Sequence, residues 1–178
     1  MSVVATQRRL VQRETPADRR RRQLLDRLAV QWRAFKSSYA GLSETELRVP
    51  GVTGAWSVRD IIAHVTTWDE EAVVHLPSIL EGRRPPRYSV TYGGIDAFNA
   101  RMTEKKKGLS LPEVLRQLDE VHGRVVAIVE RAPDEALAAE TRFRRRLRLD
   151  TYGHYPKHAA AIRRWRDGRV GERTEARG

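Results

Sequence analysis

Two histidines four residues apart, His154 and His158, stand in the segment DTYGHYPKHAAAIRRW of a chain that has five histidines and no cysteine. On a helix, residues i and i+4 share one face, with Cβ atoms about 5–6 Å apart. That suits two imidazoles sharing one ion through bonds of about 2.0–2.1 Å. An HxxxH pair also arises by chance, and two polar rings on a solvated face give the same string. A shared ion needs a third ligand. His64, in RDIIAHVTTWDEEA, is the candidate, because it sits beside Ile61, Ile62 and Val65 on an otherwise apolar face, where a lone polar ring needs a partner. A core histidine bonded to a backbone carbonyl is the competing reading. His75 follows on nearly the same line of the helix, about three turns away, too far to share the ion. His122, next to Gly123 on another helix, reads as surface.

The elements that must position these rings are helical. Leu24, Leu25, Leu28, Trp32, Phe35 and Tyr39 recur at spacings of three and four, which predicts an amphipathic helix over about 18–40, with Thr15-Pro16 as its start signal. The loop GLSETELRVPGVTGAW follows. Ser57 and Asp60 form an N-terminal cap for a second helix, which Pro77 bends or ends near Leu76. EGRRPPRYSVTYGG is a long connection of the kind that forms lids or crossovers. A short helix over about 95–106 comes next. Ser110, Pro112 and Glu113 open a further helix striped with Leu115, Leu118, Val121, Val125, Ile128 and Val129, closed by Pro133. The segment with His154 and His158 opens the last helix, to about Arg166. The expected organisation is a flexible N-terminal segment (1–15), an all-α up-down four-helix bundle with a long crossover (16–167), and a polar C-terminal tail (168–178).

The absence of cysteine excludes a disulfide framework, thiolate metal sites and a cysteine nucleophile. No apolar run reaches the roughly 18–20 residues that span a bilayer, and the N-terminus, broken by arginines, is no secretory signal. A soluble, cytoplasmic protein with no membrane partner is the expectation. The formal charge of +11 attracts polyanions. Its densest runs are RRRR (Arg19 to Arg22) and RFRRRLR (Arg142 to Arg148), read as a solvated helix face and a basic turn. No nucleic-acid-binding signature accompanies them, so nucleic acid is disfavoured as a partner.

GAWSVRDIIAHVTTWDEEAV followed by TYGHYPKHAAAIRRW resembles the DinB-like four-helix-bundle superfamily, closest to its ClbS/DfsB-type branch. YGGIDAFNARM, Tyr92 to Met102, resembles the family's third helix. The resemblance spans about Leu24 to Arg166. It implies an up-down bundle with a crossover between its second and third helices. It also implies a divalent metal on one histidine of the second helix and an HxxxH pair of the last, here His64, His154 and His158.

Three protein ligands leave an open position for water or substrate. Three imidazoles suit zinc, nickel, iron or copper, and zinc or nickel is the expected ion, with iron or copper as alternatives. Glu71, about two turns along from His64, is the candidate catalytic group: a general base, an acceptor behind a ligand, or a rim charge. Trp68 and Tyr152 are candidate pocket walls, and Asp150 and Tyr155 are weaker ones. Characterised relatives imply thiol transfer or isomerisation with bacillithiol or mycothiol, or hydrolytic detoxification of a genotoxin. The expected partner is a small-molecule substrate, with a low-molecular-weight thiol among the candidates. Arg83, Arg84 and Arg87 could hold an acidic thiol. A homodimer is compatible with the sequence. A non-catalytic binding bundle and, behind it, a basic nucleic-acid accessory protein are the alternatives.

Overall fold

The structure, a computed structural model, describes residues 14–175, with side chains for 14–169. Eight helices follow one another among the described residues: α1 (Pro16–Tyr39), α2 (Glu44–Leu47), α3 (Val58–Leu80), α4 (Tyr88–Thr91), α5 (Ile95–Lys106), α6 (Leu111–Arg131), α7 (Arg142–Asp150) and α8 (Tyr155–Glu175). The four long ones, α1, α3, α6 and α8, form an up-down four-helix bundle. α3 packs on α6 and α1 on α8, α1 meets α6, and α3 also carries α5 and α7 on its flank. The crossover between α3 and α6 contains α4 and α5. No helix among the described residues is long and apolar enough to cross a membrane.

Local chemistry sets most boundaries. Thr15, Ser43, Ser57 and Ser110 each accept from the backbone N–H three residues on, while Asp18, Glu46, Asp60 and Glu113 reach back to the cap. Each pair satisfies two backbone donors that a helix start leaves free. The Ser43–Glu46 pair turns part of the expected 41–56 loop into α2.

α3 does not stop at Pro77. It runs to Leu80, because a proline near the end of a helix removes only one backbone bond. Termination comes at Gly82, whose φ of +81° suits a residue without Cβ. Gly82 N–H donates to Ile79 C=O (3.0 Å) and Arg83 N–H to Ser78 C=O (2.9 Å), the paired closure of a Schellman end.

The segment expected as a basic turn is helix α7. Phe143, Leu147 and Asp150 are buried along one side of it; Arg142, Arg145 and Arg148 are exposed, while Arg146 turns in towards Asp150. The expected tail also differs: α8 continues through 168–175. Of the expected N-terminal segment, 1–13 lies outside the described residues.

The core is centred on Leu28, Phe35, Ile61, Ile62, Leu118, Leu147, Tyr155 and Ile162, all fully buried. One polar knot crosses it. The Tyr155 hydroxyl donates to the Asp69 carboxyl (2.8 and 2.9 Å) and lies 3.2 Å from His122 Nδ1. The His122 ring stacks on Trp32 at 3.7 Å. His122 is therefore buried, not on the surface as its glycine neighbour suggested. The knot fixes α3 against α8, since Asp69 lies on the helix of His64 and Tyr155 adjoins His154. Burial pushes the Asp69 carboxyl well above the usual carboxylate range.

Candidate metal centre

His64 enters from the second turn of α3, His154 from the turn before α8, and His158 from the first turn of α8. Gly153 makes this turn. A Cβ there would lie 2.6 Å from the Arg148 carbonyl oxygen, so only glycine lets the chain fold back against the end of α7. Gly153 N–H donates to that carbonyl at 2.9 Å, and His154 N–H to Thr151 C=O at 2.7 Å. Pro156 then sits in the first turn of α8, where its missing donor is not needed.

The three rings meet. His154 Nε2 lies 3.3 Å from His64 Nε2 and 2.9 Å from His158 Nε2, and one nitrogen from each ring lies within 4.8 Å of the others. Metal–nitrogen bonds of about 2.0–2.1 Å separate ligand nitrogens by about 3.0 Å at right angles and about 3.4 Å at the tetrahedral angle. The observed spacings suit three imidazoles around one ion. Hydrogen bonds alone account for them poorly, since Nε2 of a neutral ring carries either one hydrogen or one lone pair and His154 Nε2 faces two ring nitrogens at once. Burial is the main cause holding all three rings neutral: His64 is pushed down to about 3, His154 to about 2 and His158 to about 4. The nearby Lys157 charge lowers the last two further. Neutral imidazole is the form that binds a metal. His154 Nδ1 is buried without a partner, so only its Nε2 side is engaged.

A cavity of about 390 Å³ opens beside His64 and His154. Trp68, Tyr88, Ile95 and Leu149 give it apolar walls, and Asn99, Arg146 and Asp150 its polar ones. Trp68 Nε1–H donates to Asn99 Oδ1 at 3.2 Å, and Phe98 backs both Trp68 and Tyr88. The buried Arg59 guanidinium holds the crossover in place, donating to the carbonyls of Lys106 (2.7 Å) and Lys107 (3.1 Å).

The charged wall is one connected group. Arg146 donates to the Tyr88 hydroxyl (2.7 Å) and, through Nε, to Asp150. Tyr88 donates to Glu71, which also faces His75 Nε2 (3.0 Å) and Arg146 (3.5 Å). Burial pushes Asp150 up to about 7, with Arg146 opposing and Glu71 adding to the rise.

Of the residues expected at the site, the structure brings together His64, His154, His158 and Trp68, and adds Asp150. Glu71 does not line the cavity; it reaches it through Tyr88 and Arg146. Tyr152 is a core residue turned towards α1, where Arg27 lies 5.8 Å above its ring, so it does not wall the pocket. Tyr155 belongs to the buried knot. Arg83 pairs with Glu81, and neither it nor Arg84 nor Arg87 lines the cavity. Tyr88, Asn99 and Arg146 were missed. Phe143, Leu147 and Asp150 carry helical spacing, which was the available signal for Arg146.

A sequence model of the DinB superfamily matches residues 27–166. A crystal structure of an uncharacterised protein from Escherichia coli UTI89 has a similar fold, with a TM-score of 0.69 at 15% identity over 84% of this chain and 94% of that one. No curated protein matches the sequence.

Proposed function

The chain belongs to the DinB superfamily, and from that membership and the three converging imidazoles we propose that it is a metal-dependent enzyme acting on a small organic molecule. His64, His154 and His158 hold one divalent cation, with zinc or nickel first among the candidates. One observation carries this reading: the His64 and His154 nitrogens meet at 3.3 Å on the wall of a largely apolar cavity of about 390 Å³. Three protein ligands leave a position open, unlike the four of a structural site.

A bound ion of this kind acidifies water, holds a thiolate or polarises a carbonyl. The chain's own residues supply the rest. Trp68, Tyr88, Ile95 and Leu149 take the apolar body of the substrate and exclude water. Asp150, the carboxyl on the cavity wall, is poised near neutrality, where a general base works best. It takes the proton from water or a thiol and returns it to the leaving group. Arg146 orients Asp150 and Tyr88. Glu71, its Oε2 engaged by Tyr88, His75 and Arg146, stands behind the cavity lining and positions that wall. Hydrolysis and transfer of a low-molecular-weight thiol both suit this arrangement.

Turnover of glutathione with 1-chloro-2,4-dinitrobenzene and hydrolysis of 4-nitrophenyl acetate test the proposal, each with metal-loaded and chelated protein. Metal-dependent turnover that Asp150→Asn abolishes supports it. Metal-loaded protein inert towards both pairs points instead to a binding protein.

A further inference from the structure

The arginine-rich runs fall into two kinds. On α1, Arg21 pairs with Asp134 at 2.7 Å, and Arg22 pairs with Glu14. Arg48, Arg83 and Arg116 likewise meet Glu44, Glu81 and Glu120. On α7 Arg146 is paired with Asp150, but on its other flank and at the start of α8 unpaired cations gather. Arg145, Arg148 and Lys157 line one groove of about 420 Å³, and among the described residues none of the three has a carboxylate within ion-pairing range. Arg145 donates only to the Glu140 carbonyl. All three side chains are exposed, so no burial forces their proximity.

The groove adjoins the metal centre. Lys157 lies between His154 and His158 in sequence. Leu149, 70% exposed, borders this groove and the metal-side cavity alike. Arg146 and Asp150 face one flank of α7, Arg145 and Arg148 the other, with Leu149 on the crest. Like charges gathered without counter-ions repel one another, and an anionic ligand relieves that repulsion. Arginine forks suit phosphate and carboxylate oxygens, and the groove has the size of a small-molecule site. A nucleic-acid backbone needs a long unneutralised track. On α1, Arg21 and Arg22 are neutralised by Asp134 and Glu14, and Arg20 and Arg27, unpaired among the described residues, line a separate, smaller groove with Arg144.

We propose that this groove binds the phosphate or carboxylate group of a small ligand whose apolar body crosses Leu149 towards the metal-side cavity. Only the destination of the body rests on the proposed function; the anion site stands without it.

Chelator-treated protein is titrated with inorganic phosphate, 1-naphthyl phosphate and 1-naphthylacetate, followed by NMR. Removing the metal keeps the anions from binding there. Arg148→Gln/Lys157→Gln should weaken each anion that binds by at least tenfold. Arg116→Gln/Lys105→Gln, which removes the same charge far from the groove, should leave affinity unchanged. The preferred naphthyl compound identifies the anion. Leu149→Ser should remove the gain of 1-naphthyl phosphate over phosphate without touching phosphate itself. Equal losses in the two double variants, or tighter binding of a DNA duplex than of any small anion with the same residue dependence, overturn the proposal. If anion binding behaves as expected in protein that takes up no metal, the groove stands and the metal reading falls.

Discussion

His64 and His154, ninety residues apart in the chain, bring their Nε2 atoms to 3.3 Å across the gap between α3 and the start of α8. Two neutral rings, one buried and one half-buried, gain little from such an approach, whereas one shared ion gains both as ligands. Such an ion would clip α3 to the start of α8 beside the Tyr155–Asp69 bonds that already join them.

The clip has a thermodynamic consequence. An ion that binds only the folded state stabilises it by about 4 kcal/mol at a thousandfold excess over Kd. Chelation should lower the melting temperature of the wild type and leave His64→Ala nearly unaffected. An equal shift in both, followed by circular dichroism, would place the ion elsewhere.

Gly153 is the hinge on which the histidine pair depends. In Gly153→Ala the new Cβ would meet the Arg148 carbonyl oxygen at 2.6 Å, so the turn must open and carry His154 with it. The expected outcome is a loss of about 1–3 kcal/mol in urea unfolding, together with at least tenfold weaker metal binding. Retained metal affinity at wild-type stability would show that the turn has slack.

The buried knot makes stability depend on pH. Burial lowers His122 to about 4, against about 6.5 in an unfolded chain. Between these values the unfolded state binds the extra proton, so stability rises with pH. The contribution is complete above about 6.5 and is lost as pH falls towards about 4. In chelated protein, unfolding free energies measured from pH 7 to 4 should fall more steeply, or rise less, in the wild type than in His122→Gln, because the raised Asp69 and Asp150 carboxyls act in the opposite direction in both proteins. The ligand histidines and these carboxyls titrate in both proteins, so the difference between the two isolates His122. Identical slopes would mean that His122 is protonated in the folded state.

Asp150 and Glu71 should separate in kinetics. Asp150→Asn should lower the rate by about 10²–10⁴-fold and remove the limb of the pH–rate profile near 7, with metal content unchanged. Glu71→Gln should keep that limb and lose less, because Tyr88 and Arg146 retain each other. A larger loss in Glu71→Gln would return the base to Glu71.

The site was legible in sequence where its chemistry is local. HxxxH reports one helix face, and a histidine among Ile61, Ile62 and Val65 reports a buried polar ring. Both signals need only helical periodicity. What stayed hidden depends on contacts between distant residues. His122 is buried by Trp32, on a different helix, and nothing near Gly123 announces that. Arg146 reaches Tyr88 across fifty-eight residues, and the surrounding arginines mask the apolar side of α7 that turns it inwards. Tyr152 and Tyr155 are both aromatic and close to the pair, but the turn at Gly153 sends neither to the cavity. The four long helices were legible for the opposite reason: capping boxes and apolar stripes are written within each one. The end of α3 was misplaced because a proline is a conspicuous breaker, whereas the Gly82 closure needs the backbone bonds to be seen.

Metal content, measured by mass spectrometry on untagged protein, tests the central claim most directly. The expected result is about one divalent ion per wild-type chain and almost none in His158→Ala or His64→Ala with the fold intact by circular dichroism. Equal metal in all three proteins, or none in the wild type after incubation with zinc and nickel, would contradict it.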